Sequence, residues 1–295
     1  MEQRKVWQSR LELVGATVIF GTVGLFRQNL SLSSGVVSVY RGVFGSLFLL
    51  LVLLLRRKRL RFAELKNRLP LLLCSGAALG LNWIFLFESY RFTTIATATL
   101  CYYMAPFYVI LASVPLFRER LTLRRGLCCA VAFFGVVCVS GVMETALSWK
   151  DFRGVVFGLA AGVFYATLTL LNKKIGAAPP YEKTMIQMLT AAAILLPYVL
   201  IGKQSFALSN ATDLWLVIVL CVLHSGTAFA LFFDAIGHLP AQTTALMSFI
   251  DPAVAVVLSA VVQQRPTWTE TVGTVLILGA AVCNEKIAIP TKRGK

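Results

Sequence analysis

Apolar residues fall into ten long runs separated by short polar or basic segments. Their limits are 11–28, 35–55, 69–89, 94–115, 123–142, 154–172, 183–202, 212–233, 242–262 and 269–287. A helix rises 1.5 Å per residue, so a run of about 20 residues crosses a hydrocarbon core of about 30 Å. The runs therefore predict ten transmembrane helices, of which the first and sixth are short for a crossing. Lipid leaves no water to satisfy backbone amides, which makes helix the expected form of every run. The fold class predicted is an all-α integral membrane protein, with connections too brief to hold a soluble domain.

A second pattern lies over the first. Phe87, Thr97, Leu100, Pro106 and Ser113 meet Phe233, Thr243, Leu246, Pro252 and Ser259 at one offset, 252 − 106 = 146, and Gly80 meets Gly226 at the same offset. An acid follows the shared Phe in each half, Glu88 and Asp234. The chain is thus a duplication, with one repeat at 11–142 and the other at 154–287. Five spans in each half force the halves to enter the membrane from opposite sides, giving two inverted five-helix repeats.

Composition agrees with burial in lipid: 58% of the 295 residues are hydrophobic, 14% are charged, and mean hydropathy is +0.77. Soluble chains are nearer a quarter charged. Of 28 Lys and Arg, 21 lie at 4–10, 56–68, 118–125, 173–183 and 286–295, which all fall on one side of a ten-span chain. Arg27, Arg91, Lys150, Arg153, Lys203 and Arg265 fall on the other, and Arg41 lies within the second span. The bias predicts both termini, and the basic loops, in the cytoplasm and residues 143–153 outside. The net charge of +15 is then a topology signal and a surface for anionic inner-leaflet lipids, especially at 56–68, rather than a nucleic-acid footprint. No small-x-small cleavage site follows near Arg27, so the first run is read as a retained helix in a plasma-membrane protein. Seven cysteines in apolar runs read as small hydrophobes without disulfides.

No phosphate loop, zinc-protease pair or nucleophile elbow is present, and His224 and His238 are too sparse for a metal site. Neither an enzyme nor a resident cofactor or metal is expected.

The residues from Ala96 to Pro106, followed by Phe117-Arg118-Glu119-Arg120-Leu121-Thr122 and the helix of Gly126 and Gly135, resemble the first repeat of the EamA branch of the drug/metabolite transporter superfamily. Gln242 to Leu246 and Phe249-Ile250-Asp251-Pro252 repeat the pattern, and Arg41 is placed as in that family. The resemblance covers about residues 11–286. It implies ten helices, inverted repeats and alternating access around a central cavity, and names no substrate. Where the family commonly has Gly-Glu after the ninth span, this chain has Gln264-Arg265-Pro266.

Polar residues spaced i, i+3, i+4 and i+7 mark the helix face turned from lipid. The ninth span offers Thr244, Ser248 and Asp251, and the sixth Gly158, Gly162, Tyr165, Thr169 and Asn172. The third offers Ser75, Ala78, Asn82 and Ser89, and the first Thr17, Gly21, Gly24 and Gln28. Tyr102 and Ser248 occupy mirrored positions. The candidate substrate-binding set is Asn82, Trp83, Tyr102, Tyr103, Tyr165, Thr169, His224, Thr244, Ser248 and Asp251. Asp251 and His224 lie near mid-depth, where ionisable groups are costly, and are the candidates for proton coupling. Each has a structural reading too: Asp251 beside the carbonyl freed by Pro252, and His224 as a neutral interhelical partner. Arg41 and Glu88 are read as substrate-contacting or structural, and Pro106 and Pro252 as mirrored hinges.

Three functions follow. The leading one is a secondary transporter, in the exporting direction, of small metabolites such as amino acids. The others are a flippase for lipid or polyprenyl-linked head groups, and a channel or structural membrane protein.

Overall fold

The computed structural model describes residues 2–27, 29–93, 95–139, 152–262 and 267–288. Most of the predicted loop 143–153, and Gln28, Gln264, Arg265 and Pro266, lie outside the described residues. What is described is built of helices and turns. Eight helical segments are long and apolar enough to cross a membrane, and a shorter apolar helix runs over Thr271–Cys283.

The first segment is α1 (Glu2–Gly21) and α2 (Val23–Arg27), followed by α3 (Ser34–Leu55) and α4 (Leu69–Phe92), the last entered by a 3₁₀ turn over Phe62–Arg68. Next come α5 (Ile95–Tyr102), α6 (Ala105–Phe117), α7 (Leu123–Val139), α8 (Phe152–Ile175) and α9 (Pro180–Ile201). The eighth apolar run is α10 (Ala211–Val219), a π-helix (Leu220–Thr227) and α11 (Ala228–His238), and the ninth is α12 (Ala241–Met247) and α13 (Ile250–Val262). The chain ends with α14 (Trp268–Ala288).

The first and sixth runs are not short: their helices cover Arg4–Phe26 and Phe152–Ile175. Hydropathy stops at the charges of Arg10 and Lys173, but the i→i−4 ladder does not, because charged side chains at a helix end reach water without breaking backbone bonds. Local chemistry sets other ends. Ser33 Oγ accepts from Val36 N at 3.4 Å at the start of α3, and Asn210 Oδ1 accepts from Asp213 N at 2.7 Å at the start of α10; both are N-caps. Pro70 and Pro180 stand in the first turns of α4 and α9, where the missing N–H costs nothing.

Helices α3 and α4 pack on α9, α4 on α8, α1 on α11, and α7 on α14. The α7–α14 crossing is set by glycine. A Cβ at Gly273 would stand 2.5 Å from Gly135 O, and one at Gly135 would stand 2.7 Å from Gly273 O, so the two backbones meet as small residues permit in lipid. The apolar side chains left outside, including Leu47, Leu51, Leu54 and Leu55 on α3 and Leu196, Leu200 and Ile201 on α9, give the bundle an outer surface suited to lipid.

Lys183 was counted with the basic rim by its place in the sequence. It is instead wholly buried, and its Nζ donates to Phe233 O at 2.7 Å, tying α9 to α11.

Candidate functional site

Two of the apolar runs break at places that correspond by the 146-residue offset. Turns at Tyr103–Met104 separate α5 from α6, and turns at Ser248–Phe249 separate α12 from α13. The cause is legible in the chain. Proline has no N–H for the carbonyl four residues back, so Pro106 leaves Tyr102 O without its helical donor and Pro252 leaves Ser248 O without its own. A Cβ at Gly162 of α8 would lie 3.1 Å from Tyr102 O, so the small residue lets α8 pass close to that freed carbonyl.

Tyr165, also on α8, stands where the two breaks meet. Its ring centroid is 5.4 Å from that of Tyr102, and its hydroxyl is 3.4 Å from Ser248 Oγ. Tyr103 packs on Tyr102 at 5.5 Å and has Asp251 among its electrostatic neighbours. Tyr90 shares the electrostatic surroundings of Asp251 with Tyr102, Tyr103 and Tyr165. The acid therefore sits in a setting of phenols.

The second cluster forms where α3 meets the π-helix. Arg41 Nε donates to Ser225 Oγ at 2.9 Å, and its guanidinium lies 5.0 Å over the Trp83 ring, a cation–π distance. Next to Ser225, His224 is fully buried, with Nε2 2.6 Å from Thr22 Oγ1 and its ring 5.1 Å from Phe26. The wide i→i+5 turn carries these neighbours toward different helices. Thr227 Oγ1 bonds Val222 O at 3.0 Å, five residues back. Close approach is again a matter of glycine, since a Cβ at Gly45 would stand 3.0 Å from Ser225 Cβ.

An aromatic bridge joins the clusters. Trp83 meets Phe229 at 6.0 Å, Phe229 meets Phe233 at 5.3 Å, Phe233 meets Phe232 at 6.0 Å, and Phe232 meets Tyr165 at 6.2 Å. Tyr102 has both Arg41 and Asp251 among its electrostatic neighbours. Arg41, Tyr90, Tyr102, Tyr165 and Asp251 lie deep within the bundle yet keep some accessible surface.

The structure thus brings together Trp83, Tyr102, Tyr103, Tyr165, His224, Ser248, Asp251 and Arg41. Other candidates are engaged in helix packing. Asn82 Nδ2 donates to Ala161 O at 2.8 Å, Thr169 Oγ1 bonds back to Tyr165 O at 3.0 Å, and Thr244 Oγ1 to Pro240 O at 3.3 Å. Glu88 stands near the end of α4, held by Arg91 Nη1 at 2.9 Å and by the Tyr198 hydroxyl at 2.7 Å. Pro106 and Pro252 sit at the two breaks. Ser225, Thr22 and Tyr90 were not singled out by sequence. Hydroxyls are common in such helices, and only the π-turn and the break after Gly21 show where Ser225 and Thr22 point.

Two polar ties flank the centre. Asn172 Nδ2 donates to Ser75 Oγ at 2.9 Å and to Gln187 Oε1 at 3.0 Å, while Gln187 Nε2 returns a bond to Asn172 Oδ1 at 3.0 Å. At the basic end, the Glu119 carboxylate accepts from Ala241 N at 2.7 Å and Gln242 N at 3.2 Å. Pro240 provides no side-chain cap for α12, so Glu119, from beyond α6, caps it from outside. Arg125 Nη1 donates to Gln242 Oε1 at 3.0 Å and Gln242 Nε2 to Ser113 Oγ at 3.1 Å, completing the tie.

Comparison with known proteins gives a consistent result. The chain matches the EamA-like transporter family over residues 11–141 and again over 152–284. It is 31% identical over 269 residues to the uncharacterized transporter YxxF of Bacillus subtilis (strain 168), covering 90% of this chain and 86% of that one. It is 27% identical over 215 residues to the threonine/homoserine exporter RhtA of Salmonella typhimurium (strain LT2), covering 71% of this chain and 68% of the exporter. A crystal structure at 17% identity superposes with a TM-score of 0.84 over 95% of this chain and 97% of the other, a likeness of fold.

Proposed function

Since this chain belongs to the EamA-like transporter family, we propose that it is a secondary active transporter that moves small metabolites by alternating access around a central cavity between two inverted five-helix repeats, 11–142 and 154–287. The observation that carries this reading is the pair of corresponding helix breaks converging on Tyr165. Broken helices with freed backbone groups at the centre of duplicated halves are how transporters build a site that either face can reach. The substrate class is amino acids or related organic compounds, in the exporting direction. Support comes from the aromatic and hydroxyl surroundings of Tyr102, Tyr165 and Ser248 and from the exporter of threonine and homoserine among the relatives. Asp251 is the coupling group in this reading, exchanging a proton in surroundings set by the phenols of Tyr90, Tyr102, Tyr103 and Tyr165. Both termini and the basic loops face the cytoplasm, against anionic lipids of the plasma membrane.

The test is counterflow. Purified protein in liposomes preloaded with an amino-acid mixture should take up labelled amino acid saturably and faster than empty liposomes do. Uptake that rises linearly with concentration and ignores internal solute would identify a channel.

One observation favours the flippase reading. A cleft of about 250 Å³ at the basic end has an apolar wall of Phe48, Leu49, Val52 and Leu231 beneath Glu12, Asp234 and Arg56. That arrangement suits a lipid with a charged head group. Transfer of a labelled head group across the same liposomes, without counterflow of soluble solutes, would select this reading.

A further inference from the structure

A guanidinium has five N–H donors and cannot shed its charge in a protein. Arg41 spends one of them, Nε–H, on the neutral hydroxyl of Ser225 and lays its plane on Trp83. Its terminal fork, Nη1 and Nη2, has no acceptor among the described residues, and no carboxylate pairs with it. Its electrostatic neighbours are Cys221, Tyr102 and His224, none of which carries a negative charge at neutral pH. Of the acids near the site in sequence, Glu88 is held by Arg91 and Tyr198 and Asp213 accepts from Ser31, and among the described residues neither these nor Asp234 and Asp251 forms an ion pair with Arg41. An ionised group deep in a membrane bundle without a counter-ion is costly, and such groups are normally paired. Arg41 also keeps some accessible surface, so packed side chains do not seal the residue off.

Building on the transporter reading, we propose that the open fork of Arg41 is the carboxylate anchor of the substrate site, fixed in position by Ser225 on one side and by the face of Trp83 on the other. The planar fork matches the two oxygens of a carboxylate bidentately. A single guanidinium with no Lys or second Arg beside it among the described residues balances one negative charge, which selects a monocarboxylate over a phosphate ester. Trp83 and Tyr102 offer ring surface to the remainder of the molecule. The ligand class is therefore a monocarboxylate with a short organic body, amino acids included. Substrate arrival would supply the missing counter-ion, so the cost of the unpaired cation is relieved only in the loaded protein.

The test compares matched probes on the intact protein in nanodiscs by calorimetry and thermal shift: L-threonine, L-phenylalanine, butyrate and 3-phenylpropionate, each beside its primary amide. In the wild type the best acid should bind at least about tenfold more tightly than its amide. R41K should narrow that ratio, and R41M should bring it close to one while the Ser225→Ala protein retains a clear preference for acid. Wild-type binding that is indifferent between acid and amide overturns the anchor without using any variant. So does a wild type that binds none of the four acids, or an R41M protein that folds and keeps the ratio. The outcomes separate from the transporter reading. Saturable counterflow by a wild type that is indifferent between acid and amide would leave transport standing and remove the anchor. A wild-type preference for acids without counterflow of any solute would keep the anchor and remove transport.

Discussion

Replacing Glu119 with alanine should loosen the basic end of the bundle between α6 and α12. The carboxylate accepts two backbone N–H groups at the start of α12, at 2.7 Å and 3.2 Å, and Pro240 supplies no cap of its own. Bonds to a charged acceptor are worth about 1.5–3 kcal/mol each when sheltered, but Glu119 is only half-buried and water would replace part of the loss. The range for a helix N-cap, about 0.5–2 kcal/mol, is the better guide, with the charge at the helix N-terminus included. A net loss of about 1–2 kcal/mol moves a two-state equilibrium roughly 5- to 30-fold. Glu119→Gln keeps one acceptor oxygen and loses the charge, so it should have the smaller effect. If the tie is made only while this end is closed, the alanine variant should populate the open form. Spin labels at 120 and 238 on a cysteine-free background would report it as a longer distance component in pulsed electron resonance. A lower melting temperature with an unchanged distance distribution would mean the tie persists in both forms, and the gating argument would fail.

Three further outcomes are expected. Asp251→Asn should abolish accumulation driven by an imposed pH gradient while leaving counterflow, because the amide keeps shape but cannot ionise; wild-type transport indifferent to the gradient would leave Asp251 only a structural role. Asn172→Ala removes three bonds among α4, α8 and α9, and at about 0.6 kcal/mol per interhelical bond in lipid should cost about 2 kcal/mol, read by unfolding in mixed micelles; a loss under about 0.5 kcal/mol would mean that the network is dispensable. Gly273→Val should destabilise by about 1–3 kcal/mol because its Cβ falls 2.5 Å from Gly135 O. Gly279→Ala, with nothing within 4 Å, should be neutral or stabilising. Equal melting temperatures for the two glycine variants would contradict the packing at that crossing.

The offset of 146 residues was the most informative feature of the chain, because a proline at each end of it removes one N–H from each half and breaks two helices at corresponding places. That much of the site can be read without coordinates: Tyr102, Ser248 and Asp251 are found around those breaks. The cluster around Arg41 was less legible. His224 and Ser225 are adjacent in sequence, and on a regular helix their directions follow from 3.6 residues per turn; the π-helix rewrites that phase, and nothing in the residue pattern announces it. Lys183 shows the opposite failure. A Lys just inside a predicted span reads as a rim charge, yet the Phe233 carbonyl on α11 lies within reach and turns it inward. Glu119 belongs to a recognisable motif, but its partner lies 122 residues away, and only the folded chain shows that it caps α12. By the repeat offset its counterpart is Arg265, which cannot accept from an amide. The motif is therefore an acid in one half and a base in the other.

Ser248 gives the most direct test of whether one central site is reached from both faces of the membrane. A single cysteine at this position, with the seven native cysteines replaced, can be challenged with a membrane-impermeant thiol reagent in right-side-out and inside-out vesicles. The account predicts labelling from both sides, slowed by bound substrate, with Glu119→Ala raising the rate from the basic face. Labelling from one side alone, with neither substrate nor Glu119→Ala changing it, would contradict alternating access at this site.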